Sequence, residues 1–246
     1  PGAAGQPGMT TGEPVRLAKR VAELKGCSRS EAERYIEGGW VTVNGQVIEV
    51  PAFKVAPQQT VALDAHATLI DHGPVTLLLH KPAGAEPWPQ PQTHSDADRS
   101  GVQVLRKHFR DLQVMAPLRA DGAGLVVFTQ DWRVQRKLTE DAALLEHEVM
   151  ADVAGPVDGA TLQRLRDGLP LQGQRLPSVR ASVSSAAEGR TRLRLAFKGM
   201  DPGLLAAACA AAGLPLQSFT RQRLGRVALG GLAPGQWRYL LSSERF

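Results

Sequence analysis

The chain has 246 residues, 43% of them apolar, enough for one large domain or for a medium and a small one with proper cores. Its formal charge of +5 and pI of about 9.6 favour polyanionic partners without proving one. No apolar run reaches the roughly 18 residues of a membrane span, and the opening P-G-A-A-G-Q-P-G-M-T-T-G has no hydrophobic segment, which argues against a signal peptide or anchor.

A disordered tail is expected over 1–13, followed by a compact module over 14–64. Leu17, Val21 and Leu24 fall at i, i+4 and i+7, which predicts an amphipathic helix ended by Gly26. Ser28 and Glu31 have capping-box spacing for a second helix, with Gly38-Gly39 as a left-handed stop after Ile36. W-V-T-V, Asn44-Gly45 and Q-V-I then read as strand, tight turn and strand. The segment V-P-A-F-K-V-A-P-Q-Q-T-V-A-L-D finishes the small sheet, and the polar stretch 65–73 serves as a linker.

The runs R-L-A-K-R-V and S-R-S-E-A-E-R-Y-I, with V-T-V-N-G behind them, resemble the αL-type RNA-binding domain shared with small-subunit ribosomal protein S-four. The resemblance implies that Arg16, Lys19, Arg29, Ser30 and Arg34 face RNA phosphates and that Asn44 and Gly45 form the turn. Contacts of this kind position a protein on RNA and carry little sequence information.

Residues 74–246 read as a larger domain. Val75 to Leu79 is a short apolar strand, followed by His80-Lys81-Pro82-Ala83-Gly84. The Pro-rich stretch with Trp88, His94, Asp96 and Asp98 lacks periodicity and reads as a flexible loop. Gly101 to Phe109 has a helical pattern, with Val102, Leu105 and Phe109 on one face. Gly124 to Thr129 is apolar and β-prone, and T-Q-D-W leads into a helix, V-Q-R-K-L-T. A-A-A-C-A-A-A-G is a helix-favouring run ended by Gly213. From Ala181 onward nine Lys and Arg stand against three acids, a basic face or an RNA surface. Cys27 and Cys209 lack partner spacing and suggest buried thiols in a reducing cytoplasm.

Four segments of this domain, L-R-A-D-G-A-G-L-V-V-F-T, H-K-P-A-G, T-Q-D-W and S-F-T-R-Q-R-L-G-R-V-A-L-G-G-L-A-P-G-Q-W-R-Y-L, resemble those of the ribosomal RNA pseudouridine synthases. That family reads G-R-L-D-x-D-T-x-G-L-L-L-L-T, N-K-P-x-G, T-N-D-G and L-x-R-T-R-I-G-x-V-x-L-G-x-L-P-x-G-E-W-R-x-L at these places. With the front module the resemblance covers about residues 14–242. It implies an α+β fold, a mixed and largely antiparallel sheet flanked by helices, with a cleft across the sheet. It also implies a monomeric bacterial protein of the cytoplasm, acting on ribosomal RNA without metal or cofactor. Lys81, Arg221 and Arg223 would then contact RNA, and Trp88 would stack on a base.

The reaction itself, isomerisation of uridine to pseudouridine, depends on one aspartate in the family. In the ungapped alignment that position is Arg119, and Asp121 stands at a second acid. With a two-residue deletion, Asp121 becomes the nucleophile instead. Val149 occupies the place of the family tyrosine and His147 that of its lysine. M-D-P-G-L-L-A-A-A-C replaces the helix N-R-Q-I-R-R-M and contains no arginine. Arginine stays protonated and only donates, so it cannot replace a carboxylate. Two functions remain open: an isomerase using Asp121, or a non-catalytic RNA-binding protein on the same scaffold, acting in ribosome assembly. The six histidines show no metal-ligand spacing, and there is no phosphate-binding glycine loop or Ser/His nucleophile pattern.

Overall fold

The computed structural model describes residues 12–71 and 73–246, so most of the expected tail lies outside the described residues. The chain divides into two compact units, one running to Gly73 and including Val104–Lys107, the other comprising Pro74–Gln103 and His108–Phe246.

The first unit contains β1 (Val15–Arg16), α1 (Leu17–Lys25), α2 (Arg29–Glu37), β2 (Val41–Val43), β3 (Gln46–Val47), β4 (Lys54–Val55) and β5 (Val61–Leu63). Gly26, at φ 67°, ends α1 in the left-handed region and returns its N–H to Ala22 O. The capping box opens α2: Glu31 N–H donates to Ser28 Oγ at 3.2 Å and Ser28 N–H to Glu31 Oε2 at 2.9 Å. Leu17, Ala18 and Val21 of α1 pack on Ala32 and Ile36 of α2 and on Val41, Val43 and Val55. Leu24, expected on that face, is exposed, and Ala18 takes its place in the core. Asn44 and Gly45 have φ of 50° and 80°, the double positive φ that a two-residue hairpin requires. The expected strands after the hairpin separate: β5 joins β2, whereas β4 pairs with β1.

The second unit contains β6 (Thr76–Lys81), β7 (Gln113–Met115), β8 (Ala123–Thr129), α3 (Trp132–Glu140), β9 (His147–Ala154), α4 (Gly159–Asp167), β10 (Pro170–Leu171), β11 (Gln174–Arg175), β12 (Val179–Ala187), β13 (Arg190–Phe197), α5 (Leu205–Ala211), β14 (Leu216–Leu224), β15 (Val227–Ala228) and β16 (Trp237–Tyr239). Its nine-stranded sheet runs β12-β13-β9-β14-β8-β6-β16, with β15 on β14 and β7 on β8. β14 and β8 pair in parallel and the other strands antiparallel, so the sheet is mixed and largely antiparallel. Alternation is strict along β9: His147, Val149, Ala151 and Val153 are buried, while Glu148, Met150 and Asp152 turn to the other face. Leu78, Leu125, Val127, Leu138, Leu145 and Leu224 fill one core of this unit.

Two local expectations change. Residues 101–109 form no α-helix, only a 3-10 turn at Arg106–Phe109. Gly101 sits at φ 70°, the backbone from there to Leu105 is irregular, and Leu105 and His108 are buried. The Pro-rich segment is pinned rather than free. Trp237 Nε1–H donates to Gln90 O at 2.7 Å, Tyr239 N–H to Asp98 Oδ2 at 2.8 Å, and the His94 ring lies 4.5 Å from that of Trp237.

Candidate functional site

The turn ahead of β8 is built from beneath. Lys81, at the end of β6, is only 4% exposed, and its Nζ donates to Gly122 O at 2.7 Å, Ala120 O at 3.1 Å and Pro82 O at 3.2 Å. All three ammonium protons are used on carbonyls. Lys81, expected from the resemblance to meet RNA phosphate, here clamps a loop. Burial pushes its pKa down, while the charges of Glu86 and Asp121 push it up. Gly122 N–H closes the turn on Arg119 O at 3.0 Å, leaving Arg119, Ala120 and Asp121 exposed.

The first residues of β8 then meet β14. Gly124, at φ 112°, lies so close to Arg221 that a Cβ would stand 2.3 Å from Arg221 O and 2.4 Å from its N. This is where the glycine of the G-L run earns its place: no side chain fits.

Arg221, expected from the resemblance to contact RNA, is 0% exposed. Its Nε donates to Leu125 O at 2.8 Å, its Nη2 donates to Ala116 O and Leu125 O, and Nη1 lies 3.5 Å from His147 Nδ1. Burial lowers its pKa to about 9, opposed by the charge of Asp201. Arg223 faces the other side of β14 and holds Glu146 at 2.7 Å and Glu148 at 2.9 Å, which ties the third expected RNA contact into ion pairs. His80, in the place of the family asparagine, meets Leu232 O through Nδ1 at 2.6 Å.

A cleft of about 350 Å³ opens over Arg221. Arg221, His147, Leu138 and Leu224 line it together with Met200 and Asp201, and Asp201 is the one acid among its lining residues. His147 stacks on Phe197 at 5.3 Å, and burial first, then Arg221, lowers its pKa to about 4. Its imidazole is therefore neutral near pH 7. Asp201 is a cleft-lining acid that sequence spacing alone does not single out. It lies in M-D-P-G, read from the sequence only for its lack of arginine. A Cβ on Gly203 would stand 2.8 Å from Arg119 Cδ and 2.9 Å from Asp201 Oδ1, so these two side chains converge on one glycine. In the ungapped alignment Arg119 stands at the expected aspartate, and Asp201 lies in the segment that is basic in the family pattern. Asp121 does not line this cleft. Val149, at the tyrosine position, is fully buried and offers no ring.

A second hollow of about 210 Å³ lies beside Lys81, Trp88, Leu118 and Phe128. Trp88 is 44% exposed and sets its edge on Phe128 at 4.9 Å. Among the described residues no group of three or more His, Cys, Asp or Glu is placed to hold a metal ion, and no helix is long and apolar enough to cross a membrane.

In the first unit Arg16, Lys19, Arg29, Ser30 and Arg34 are all exposed. Arg34 donates to Leu69 O, and Asn44 Oδ1 accepts from Thr60 N–H at 2.9 Å, which fixes the hairpin end.

A helix–helix–hairpin module and a mixed-sheet domain with a cleft over a buried arginine define the class: a pseudouridylate-synthase fold joined to an S4 module. The S4 domain family model matches residues 15–61. A solved structure described as pseudouridylate synthase shares this fold with a TM-score of 0.56, at 20% identity, over 93% of this chain and 97% of that one. Ribosomal small subunit pseudouridine synthase A of Escherichia coli (strain K12) is 29% identical over 240 residues, covering 94% of this chain and 98% of that protein. An uncharacterized RNA pseudouridine synthase of Mycobacterium tuberculosis is 30% identical over 237 residues, covering 94% of this chain and 91% of that protein. The chain belongs to the RNA pseudouridine synthase family.

Proposed function

We propose that this protein binds structured ribosomal RNA through its S4 domain and does not isomerise uridine. The turn at 119–122 carries this reading. In the ungapped alignment the position of the family aspartate holds Arg119, and Asp121, its place in the gapped one, sits on the exposed side of a turn clamped by Lys81, outside the cleft. A carboxylate acts on a ribose or a base only from within reach of it. The buried Val149 supports the same reading, since a flipped base needs a flat partner. Exposed Arg16, Lys19, Arg29, Ser30 and Arg34 supply the phosphate-facing side, with Asn44 and Gly45 shaping its hairpin. The setting of this function is a monomer in the bacterial cytoplasm, acting without a cofactor during ribosome assembly.

The isomerase reading keeps one observation in its favour: the charge of Asp121 acts on the buried Lys81, so a carboxylate and a cation are neighbours there. Incubation of the purified full chain with unmodified small-subunit ribosomal RNA, followed by carbodiimide mapping, separates the two. The expected result is salt-sensitive binding with no new modified position. Pseudouridine that disappears in an Asp121→Asn variant would establish the isomerase instead.

A further inference from the structure

The face of the large sheet opposite the cleft carries an ordered array of charge that the proposed function leaves unused. Glu146, Glu148 and Asp152, in and just before β9, have side chains only 14–19% exposed. Each anchors arginines from neighbouring strands. Arg194 of β13 reaches Glu148 Oε1 at 2.7 Å, Arg192 forks onto both oxygens of Asp152 at 2.8 and 3.1 Å, and Arg180 of β12 pairs with Glu146. Arg223 bridges Glu146 and Glu148 from β14. The carboxylates lie below and the guanidinium groups above: Arg180, Arg192 and Arg194 keep 70%, 44% and 60% of their side chains exposed.

Four arginines against three carboxylates leave one positive charge in excess, and the paired groups keep donors to spare. A guanidinium has five N–H donors and spends one or two on its carboxylate, so the rest point outward from a fixed position. The three arginines are thereby held in place before any ligand arrives, which removes much of the entropic cost of ordering long side chains. On β13, Arg192 and Arg194 lie two residues apart, about 6.6 Å along the strand at ~3.3 Å per residue. Beside them a groove of about 510 Å³ is lined by Arg166, Arg180 and Arg194 against the single acid Glu148. Arg166 is aimed there from α4 by its hydrogen bond to Ala181 O at 2.8 Å.

We infer that this arginine array is a second RNA-phosphate surface, on the sheet unit, separate from the S4 module. Planar guanidinium forks suit paired phosphate oxygens, and a row of them suits a repeating phosphate chain better than a single small anion. The inference rests on the proposal that the protein binds RNA, so the test contains a control for that proposal.

Dissociation constants of the full chain for a small-subunit ribosomal RNA transcript, measured from low to high KCl, supply both. The R180Q/R194Q variant is expected to bind roughly tenfold more weakly at fixed salt, with the log–log salt slope reduced by about 2, one per lost phosphate contact. A Lys19→Gln/Arg29→Gln variant removes S4 contacts independently. R180K/R194K keeps the charge without the forks and is expected to retain the slope while losing part of the affinity. A thermal melt of each variant separates loss of contact from loss of fold. Wild-type protein that fails to bind the transcript would overturn the RNA-binding proposal itself. Wild-type binding and an S4-variant defect, beside a folded R180Q/R194Q protein with unchanged constant and slope, would overturn the second surface alone. If that folded variant instead loses binding to an acidic polypeptide such as polyglutamate, with RNA binding intact, the face belongs to a protein partner and the RNA inference is likewise overturned.

Discussion

His147 shows how one residue is set by its neighbours. It is 8% exposed, stacked on Phe197 and close to the guanidinium of Arg221, and its pKa falls to about 4. Unfolded histidine titrates near 6.5, so between pH 6.5 and 4 the unfolded chain takes up a proton that the folded chain refuses. The associated stability is fully present above pH 6.5 and is lost as pH falls through that window, by at most about 3 kcal/mol. Urea midpoints of the wild type are expected to drop more steeply across this range than those of His147→Gln, and parallel curves would contradict a buried neutral imidazole. Gly124 makes a sharper case. Gly124→Ala places a Cβ within 2.4 Å of the Arg221 backbone at a φ of 112°, with an expected cost of about 3 kcal/mol or more. A melting temperature within a degree or two of wild type would contradict it.

At the scale of elements, the turn between β7 and β8 depends on a residue outside both strands. Lys81→Met leaves the carbonyls of Pro82, Ala120 and Gly122 without their shared donor, an expected loss of about 3 kcal/mol. The same change is expected to speed amide exchange at Gly122, whose N–H closes the turn; unchanged exchange there would show that the turn holds itself. Lys81 also illustrates what the sequence can and cannot reveal. The first unit was legible because its signals are local: a capping box at Ser28 and Glu31, a left-handed Gly26, and Asn44-Gly45 between short strands. The β8 run and the helix after Asp131 were legible for the same reason. At residues 101–109 apolar spacing alone resembles a helix, while the chain takes irregular backbone up to Leu105 and a 3-10 turn after it. Lys81, Arg221 and Arg223 looked like surface cations because their partners are remote in sequence, 75 residues away for Arg223 and Glu148. Asp201 went unnoticed since its meaning depends on Arg119 and Arg221, brought to it only by the fold.

For the molecule as a whole, the net charge of +5 conceals an uneven distribution. In the sheet unit Arg221 is buried, while Arg180, Arg192 and Arg194 stand exposed over carboxylates; in the S4 unit Arg16, Lys19, Arg29 and Arg34 face outward. The isomerisation of uridine replaces the hydrogen on C5 of the ring with a bond to the ribose, so RNA labelled with tritium at C5 of uridine releases label to water with each turnover. Full-length protein at saturating concentration on small-subunit ribosomal RNA labelled in this way is expected to bind the RNA and release no label above the protein-free background. Stoichiometric or catalytic tritium release, abolished by Asp121→Asn, would contradict the account and restore this chain to the working members of its family.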